Sequence, residues 1–566
     1  MICVMGSPVL VHPTRRPGAL PYLLIRLRSM VRPPVTVYEP AEGSVLVDRD
    51  LEVAVRDGTV LRVNVHRPPG AGPFPVLLSA HPYGKDALPK RTRRGFRVSA
   101  QYRGLRQTDP ISFSSLTSWE APDPVWWTQH GYAVVNADLR GAGHSDGRTE
   151  LLSKQEGEDV ADLIEWAGTQ PWGTGRVGLL GVSYLAVTQY EAAACKSGHL
   201  AAICPWEGFT DPYRDLFCPG GIPEYGFASL WLAATKRTVR LAVDFGAERR
   251  HHLLRDRWWQ LHVPKLSDID VPMLVCATFS DNCLHSRGSF RAFQQVGSAR
   301  RFAYTHRGGK WATFYGDPAR QAQLAFLDRH VAERDAPDLP PVRLEVRESR
   351  DRIVEVRDEQ EWPLALTQWT PVHLGPEGAL TEVAPSTPGQ LTFDPRRRAA
   401  AFSWRIPHDL ELSGPMAARL WVEVHDTDDA DLVVGVEKWR GRRIVPFEGS
   451  YGWGRDRVTT GWQKASLRAV DAAMSAPHAP VHTYDQPEPL GIGDVVPVDV
   501  ALGPSATLFR AGEVLRLLVA GRWLSPRNPF TGQLPARYRC RPRGRCTLHW
   551  GPERPAHVLV PVIPAR

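Results

Sequence analysis

Short apolar runs recur along the N-terminal half of the chain and alternate with more polar stretches. The runs that are apolar almost throughout lie at 74–82, 132–138, 176–182, 271–279 and 300–306. Such runs are typical of parallel strands that are buried on both faces of a sheet. The segment 158–170 has apolar residues at helical spacing and acidic residues in its first turn, which predicts an amphipathic helix. Strands that alternate with helices in this way predict an α/β fold around a parallel sheet.

Two segments break this alternation. Residues 190–265 are rich in Trp, Tyr, Phe and Arg and lie between two predicted strands, which indicates a helical cap inserted into the sheet domain. After Pro340, strand-like stretches such as 418–425 and 513–521 alternate apolar and polar positions between turn-rich segments. That pattern predicts a C-terminal β-sandwich. The polar, proline-containing segment 333–341 marks the expected boundary between the two domains.

The length of 566 residues is more than one ordinary core accommodates, so two or three domains are expected. We predict an N-terminal extension over 1–40, for which disorder is one interpretation and in which Met30 is an alternative start. We assign 41–338 to an α/β catalytic domain whose helical cap covers about 190–265. We assign 339–566 to the β-sandwich.

Composition and charge limit the kinds of molecule that the protein is expected to bind. The chain is 43% hydrophobic and 23% charged, which is ordinary for a globular protein. The net charge of +8 comes from scattered basic residues, and its densest runs, 90–94 and 396–398, are interpreted as solvated basic loops. Because nucleic-acid binders concentrate positive charge on a recognisable module, we expect no nucleic-acid partner. No apolar run reaches the roughly 18 residues of a membrane span, so no membrane partner is expected.

Eight cysteines are too few for a disulfide scaffold in so long a chain, and no C-x-x-C motif is present. We therefore expect mostly reduced cysteines and a cytoplasmic location. Pairing of Cys540 with Cys546 stays open at this level.

One serine lies where a nucleophile would be expected. Ser183 belongs to GLLGVSYLAVTQY (178–190) and separates an apolar strand from a predicted helix. A nucleophile elbow needs this strand–turn–helix order, because the sharp turn exposes the serine hydroxyl. Gly181 suits the turn, but Leu185 breaks the pattern G-x-S-x-G and is followed by the small residue Ala186. Ser183 is thus either a nucleophile or a buried serine at a tight turn.

A nucleophilic serine requires a base, and the base requires a carboxylate that orients it. In hydrolases with such an elbow these residues follow in the order Ser, Asp, His, each after a later strand. Asp281 follows the run 271–279, and His306 ends the run 300–306. Read separately, Asp281 could be a helix N-cap and His306 an ordinary loop residue. Their joint position in the required order favours a triad of Ser183, Asp281 and His306.

Acyl transfer also needs donors for the oxyanion of the tetrahedral intermediate. The backbone N–H of Tyr184, directly after the serine, is the first candidate. The second is the phenol of Tyr83, just past an early strand, although an aromatic ring packed over the sheet edge is the alternative. Trp206 and Phe209 open the predicted cap and, with Cys283, are candidates for the substrate pocket. Packing of the cap onto the core is the alternative for the two aromatic residues.

Several motifs, taken in order, resemble one family. They are HPYGK (81–85), DLRGAGHSDG (138–147), the stretch 165–189 around Ser183, ATFSDNCLHSRGSF (277–290), YTHRGGKW (304–311) and the downstream segments 402–434 and 509–521. Together the chain resembles the cocaine-esterase and X-Pro dipeptidyl-peptidase group of serine hydrolases, the CocE/NonD family. The resemblance covers roughly residues 40–566.

The resemblance implies an α/β-hydrolase core with a helical cap, followed by a jelly-roll domain of the galactose-binding-like type. It also implies the same triad of Ser183, Asp281 and His306, with Tyr83 and the Tyr184 N–H as the oxyanion hole. Members carry G-x-S-Y-x-G, so the absent glycine at Leu185 is no departure. The departure is Ala186 in place of the last glycine, which we expect the helix packing to absorb.

The function expected from this resemblance is hydrolysis of carboxylic esters or amides through an acyl-enzyme on Ser183, with a small-molecule substrate and no metal or organic cofactor. The alternatives are an X-Pro dipeptidyl-peptidase and a non-catalytic binding protein. Relatives that hold a substrate ammonium place acidic residues just after the triad Asp, whereas Asn282, Cys283 and Leu284 follow Asp281 here. Assembly into a homodimer stays open.

Overall fold

The predicted parallel strands form one central sheet in the computed structural model, which describes residues 19–105, 108–450, 456–525, 536–540 and 544–564. The strands of this N-terminal part are β1 Val35–Tyr38, β2 Leu46–Ala54, β3 Val60–Arg67, β4 Phe74–His81, β5 Lys90–Thr92, β6 Gly95–Arg97, β7 Ile111–Ser114, β8 Ala133–Asp138, β9 Gly173–Val182, β10 Leu200–Trp206, β11 Met273–Thr278 and β12 Arg301–His306. The helices are α1 Ala19–Val31, α2 Ala100–Gly104, α3 Pro124–Gln129, α4 Lys154–Gly168, α5 Tyr184–Ala194, α6 Phe227–Thr235, α7 Phe245–Glu248, α8 Arg257–Gln260, α9 Ser286–Gln295, α10 Lys310–Phe314 and α11 Asp317–His330.

The sheet has the strand order β2-β3-β8-β4-β9-β10-β11-β12. The first two strands and their neighbour β8 run antiparallel, and every later pairing is parallel. The parallel strands are buried along nearly their whole length, as their apolar runs predict. Because parallel strands end at the same edge, the loops after β4, β9, β10, β11 and β12 come together there. This arrangement is the α/β-hydrolase fold expected from the sequence.

Two boundaries differ from those predicted. The segment LAAICPW was assigned to the cap, but it forms β10 between β9 and β11, so the insertion begins only after Trp206. Residues 19–38 of the predicted extension form α1 and β1, and β1 pairs in parallel with β7. Short apolar strands such as β10 are hard to separate from buried helical segments by periodicity alone. Residues 1–18 of the extension lie outside the described part of the chain.

The C-terminal part is built from strands, as predicted. They are β13 Val342–Ser349, β14 Arg352–Glu359, β15 Gln368–Leu374, β16 Leu380–Thr381, β17 Gly389–Phe393, β18 Ala400–Arg405, β19 Leu410–His425, β20 Asp431–Arg440, β21 Arg443–Val445, β22 Thr459–Lys464, β23 Val496–Phe509, β24 Val514–Ala520, β25 Arg545–Trp550 and β26 His557–Ile563. One antiparallel layer runs β15-β26-β19-β23, and the other runs β18-β24-β20-β22. Their facing side chains, such as Leu420 and Leu517, form one buried core.

The boundary between the two hydrophobic cores lies slightly later in the chain than predicted. β13 pairs with β12 at the end of the central sheet, and Val342 and Leu364 pack into the N-terminal core. The core of the sandwich begins with Val372. Cys540 and Cys546 are not joined by a disulfide. Among the described residues, no helix is both long and apolar enough to cross a membrane.

Candidate active site

Ser183 occupies a strained turn between β9 and α5. Its backbone lies at φ 60 and ψ −114, a conformation that non-glycine residues rarely adopt. A Cβ at Gly181 would come within 2.5 Å of the Leu185 Cβ, which explains the glycine two residues before the serine. Strain of this kind in a strand–turn–helix element is the mark of a nucleophile elbow.

The helix after the elbow packs tightly even though Ala186 replaces a glycine. Ala186 is fully buried, and Gly208 lies directly against it: a Cβ on Gly208 would be 3.0 Å from the Ala186 Cβ. The glycine at 208, in the loop after β10, therefore makes room for the extra methyl group of Ala186.

The imidazole that contacts the serine is that of His285. Its Nε2 lies 3.2 Å from the Ser183 Oγ, and its Nδ1 lies 2.6 Å from Oδ2 of Asp281. The side chains of His285 and Asp281 are each only 1% exposed, and Ser183 is 8% exposed. A hydroxyl, an imidazole and a carboxylate linked in this order form a Ser–His–Asp triad.

A single turn after β11 brings Asp281 and His285 to the same side. The backbone N–H groups of Leu284, His285 and Ser286 all donate to the Asp281 carbonyl, at 3.1 Å each. Residues four apart on such a turn face each other, so the carboxylate meets the imidazole within its own loop. α9 begins directly afterwards at Ser286 and holds the turn in place.

The prediction that His306 is the partner of Ser183 differs from this geometry. His306 ends β12 as predicted, but its Nε2 lies 3.0 Å from Oε1 of Glu207. Its Nδ1 accepts a hydrogen bond from the Gly308 N–H at 3.1 Å, which assigns the ring proton to Nε2 and directs it to Glu207. His306 is thus committed to a second histidine–carboxylate pair beside the triad.

Lys310 connects the two pairs. Its Nζ lies 2.8 Å from Nδ1 of His285, 3.0 Å from Oδ2 of Asp281 and 3.8 Å from Oε2 of Glu207. The lysine side chain is 1% exposed. One carboxylate oxygen of Glu207, one of Asp281 and one ring nitrogen of His285 lie within 4.8 Å of one another. The Lys310 ammonium lies beside these groups and balances their negative charge.

Burial and neighbouring charged groups set the protonation states of Asp281 and His285. Burial alone would raise the pKa of Asp281, but the Lys310 ammonium and His285 hold it well below its ordinary value. Burial lowers the pKa of His285, and Lys310 lowers it further, whereas Asp281 and Glu207 act in the opposite direction. At neutral pH Asp281 is therefore a carboxylate and His285 an uncharged imidazole, which can act as a base.

The residues predicted for the oxyanion hole lie beside the serine. Tyr83 follows β4 and lines the same cavity as Ser183, and its Oη accepts a hydrogen bond from Trp231 Nε1 at 3.1 Å. Burial raises the pKa of Tyr83 well above its usual range, so the phenol keeps a proton that it can donate. Tyr184 opens α5, and the first N–H groups of a helix have no intrahelical partner.

A cavity of about 400 Å³ opens onto Ser183 and His285. Its aromatic lining consists of Tyr83, Trp119, Tyr184, Phe209, Phe227 and Trp231. Phe209 is therefore where the sequence predicted it, with its ring stacked 6.1 Å from that of His285. This apolar wall favours a substrate with an apolar group on at least one side of the scissile bond.

Two predicted pocket residues lie elsewhere. Trp206 is fully buried at the end of β10 and packs between Tyr304 and Phe314. Cys283 points toward the β-sandwich and packs against a small cluster that contains Trp462. Leu284, the next residue after Cys283, lines the cavity instead. The sequence could not show which of several neighbouring residues faces the cavity, because a shift of one residue along a strand or turn reverses the direction of the side chain.

Sequence analysis also missed Glu120. This residue lines the cavity in a strained backbone conformation, with φ 64, and its Oε1 accepts a hydrogen bond from Trp311 Nε1 at 3.2 Å. Burial raises the pKa of Glu120 to about 8. A carboxyl of this kind is largely protonated at neutral pH, and no recognised motif in the sequence marks it.

The missed histidine did leave a signal. His285 follows Asp281 at a spacing of four residues, which matches one helical turn. A histidine and an aspartate at that spacing after a strand are a pair that one loop can bring together, without the following strand.

Comparison with known proteins agrees with the fold. A CocE/NonD family hydrolase from Staphylococcus aureus has a solved structure that is 33% identical, with a TM-score of 0.86 over 92% of this chain and 94% of that one. The chain belongs to the CocE/NonD family. Like the family's other members, it is a serine hydrolase of esters or amides.

Other comparisons agree with a CocE/NonD assignment. The family model of the X-Pro dipeptidyl-peptidase (S15 family) matches residues 57–311, and that of the X-Pro dipeptidyl-peptidase C-terminal non-catalytic domain matches 335–559. The cocaine esterase of Rhodococcus sp. (strain MB1 Bresler) is 27% identical over 92% of this chain and 99% of its own length. An α-amino acid ester hydrolase of known structure shares the fold, with 16% identity and a TM-score of 0.68 over 98% of this chain and all of that one.

Proposed function

We propose that this CocE/NonD hydrolase cleaves carboxylic esters with Ser183 as nucleophile, His285 as general base and Asp281 as the carboxylate that orients the base. The observation that carries the proposal is the chain of contacts from the Ser183 Oγ to His285 Nε2 and from His285 Nδ1 to Asp281 Oδ2, at 3.2 Å and 2.6 Å. The strained turn at Ser183 supports it, because it presents the hydroxyl to the cavity.

The reaction proceeds in two acyl-transfer steps. His285 Nε2 takes the hydroxyl proton as the Ser183 Oγ bonds to the carbonyl carbon, and the carbonyl electrons move onto oxygen. The Tyr83 hydroxyl and the Tyr184 N–H donate hydrogen bonds to that oxyanion. The carbon–oxygen bond to the alcohol then breaks, and the alcohol leaves with the proton from His285. Water, deprotonated by His285, cleaves the acyl-enzyme and restores the Ser183 hydroxyl.

The cavity supports an apolar ester as substrate. Its aromatic walls accommodate an apolar acyl or alcohol group, and similarity to a cocaine esterase over nearly the whole chain supports ester chemistry. A peptidase that releases X-Pro dipeptides is the second candidate, supported by the match to the S15 family model.

The cap does not strengthen the peptidase alternative. A free substrate N-terminus would call for a pair of available carboxylates, such as those of Glu207 and Asp211 at the start of the cap. Glu207 instead contacts His306 and Lys310. Asp211 contacts the guanidinium groups of Arg214 and Arg255.

The deciding experiment compares hydrolysis of a short-chain p-nitrophenyl ester with that of an X-Pro-p-nitroanilide. The wild type and Ser183→Ala are both assayed, and both are exposed to a fluorophosphonate probe. We expect ester cleavage and probe labelling in the wild type alone, with a loss of at least about 10⁴-fold in kcat/KM for the variant. Ester cleavage that survives in Ser183→Ala would overturn the proposal. Dominant anilide cleavage would favour the peptidase.

The remaining expectations concern partners and location. We infer a small-molecule ester or amide as the substrate and no nucleic-acid or membrane partner. A homodimer and a cytoplasmic location stay predictions, which size-exclusion chromatography with light scattering and cell fractionation would test.

A further inference from the structure

Lys310 lies in the loop region that usually supplies the catalytic histidine in hydrolases of this fold. It opens α10, four residues beyond the end of β12. In the usual order that loop supplies the base. Here the base of the proposed triad comes from the preceding loop, and the loop after β12 brings an ammonium group to the far side of His285. This inference rests on the proposed function of Ser183 and His285.

The ammonium is held by groups from several elements. Asp281 and His285 approach it from the turn after β11, at 3.0 Å and 2.8 Å, and Glu207 approaches from the loop after β10, at 3.8 Å. Glu120 acts on it from the cavity wall, since Lys310 lowers the pKa of that carboxyl. A buried ammonium needs such partners, because an uncompensated charge in the interior is costly.

The contacts at His285 Nδ1 compete with each other. An uncharged imidazole nitrogen either carries a proton and donates or has a lone pair and accepts, so Nδ1 cannot serve Asp281 and Lys310 in the same way at once. Donation from Nδ1 to Asp281 leaves the Nε2 lone pair facing Ser183, which is the form of a base. Donation from Lys310 to Nδ1 would put the ring proton on Nε2, which could not accept the hydroxyl proton.

Asp281 resolves this competition in favour of the base. Its Oδ2 lies 2.6 Å from Nδ1 and 3.0 Å from Nζ, so the carboxylate accepts from both the imidazole and the ammonium. The ammonium then lies beside the protonated edge of the ring, with like charge opposing any second proton on His285.

We propose that Lys310 is a positioning residue that keeps Asp281 ionised and His285 uncharged in the resting enzyme, and so extends activity to lower pH than the triad would have without it. Without the ammonium, the imidazole would retain its second proton at higher pH, and the acid limb of kcat/KM would move upward. Lys310 is not among the described residues that line the cavity, so the KM of the variants should change little.

The first test is the pH profile of kcat/KM for p-nitrophenyl acetate in the wild type, Lys310→Met and Lys310→Arg. We expect the acid limb of Lys310→Met to move up by at least one pH unit, and that of Lys310→Arg to stay near the wild type because the charge is kept. Lys196→Met, at an exposed lysine, is the matched control and should leave the profile unchanged. An unmoved limb in Lys310→Met, or an equal shift in both Lys310 variants, would overturn the proposal.

A second variant covers the case in which Lys310→Met fails to fold. Glu207→Gln removes a negative charge that favours the imidazolium form of His285, so its acid limb should move downward, opposite to that of Lys310→Met. An upward shift in Glu207→Gln would contradict the proposed charge balance.

A direct readout separates this inference from the proposed function. Histidine-selective NMR of Ser183→Ala, with the His285 ring signal assigned by comparison with His285→Gln, reports the imidazole pKa without any turnover. We expect that pKa to rise when Lys310→Met is added. If it rises while Ser183→Ala still hydrolyses esters, the role of Lys310 holds and the proposed nucleophile fails. If it does not rise, Lys310 has no such role, whatever the activity.

Discussion

Two histidine–carboxylate pairs lie side by side at the carboxyl edge of the sheet, and only one contacts the serine. His285 with Asp281 and His306 with Glu207 are both buried, with nitrogen–oxygen distances of 2.6 Å and 3.0 Å. They differ in direction: Nε2 of His285 faces Ser183, whereas Nδ1 of His306 accepts a hydrogen bond from the N–H of Gly308. A buried histidine beside a carboxylate is therefore insufficient evidence for a base; its second nitrogen must face the reacting group.

Replacing each histidine by glutamine should separate the roles of the two pairs most clearly. We expect His285→Gln to lower kcat/KM by about 10⁴-fold or more, because the serine loses its base. His306→Gln should lower it by no more than about tenfold, since glutamine can still donate to Glu207 and no proton transfer is lost. Ester hydrolysis and the rate of fluorophosphonate labelling measure both effects. The reverse ranking would restore His306 as the base of the triad.

The carboxylates give a smaller contrast. Asp281→Asn should lower kcat by roughly 10³- to 10⁴-fold, because the amide no longer holds Nδ1 as a donor or stabilises the imidazolium. Glu207→Gln should lower kcat by about tenfold or less, since its partner His306 takes no part in proton transfer. Steady-state kinetics above the acid limb isolate the effect on kcat. Similar losses in the two variants would mean that both pairs serve catalysis.

A third buried carboxyl, Glu120, differs from both pairs because its Oε1 accepts a hydrogen bond from the indole of Trp311. Burial raises its pKa to about 8, so between pH 4.5 and 8 the folded protein binds a proton that the unfolded chain has lost. Stability should therefore fall as pH rises through that range, by at most about 1.4 kcal/mol per pH unit.

Glu120→Gln should remove this slope and raise the free energy of unfolding at pH 8 relative to the wild type, with little change at pH 5. Urea unfolding at several pH values measures it. Glu361→Gln, at an exposed position between β14 and β15, is the matched control. An unchanged slope in Glu120→Gln would show that this carboxyl does not govern the pH dependence.

Much of the fold could be predicted from the sequence, for a local reason. Runs such as 74–82 and 271–279 are apolar throughout because both faces of a central parallel strand are covered, and they became β4 and β11. β10 was missed because its seven residues follow a helix that is almost as apolar. The family motifs placed the sandwich and the elbow correctly. They could not show whether a given side chain near the cap or the turn faces the cavity or the protein core.

Four features could be predicted without a structure: the central sheet, the β-sandwich, the position of Ser183 at a strand–turn–helix junction and the aspartate after β11. The histidine that reaches the serine is apparent only from the folded chain, because His285 follows β11, His306 ends β12, and both have acidic residues nearby. The serine and His285 are 102 residues apart, and their contact depends on how the turn after β9 and the turn after β11 pack together at the sheet edge. Local patterns encode burial and turns, whereas the direction of a side chain across such a gap is set by the packing of the whole domain.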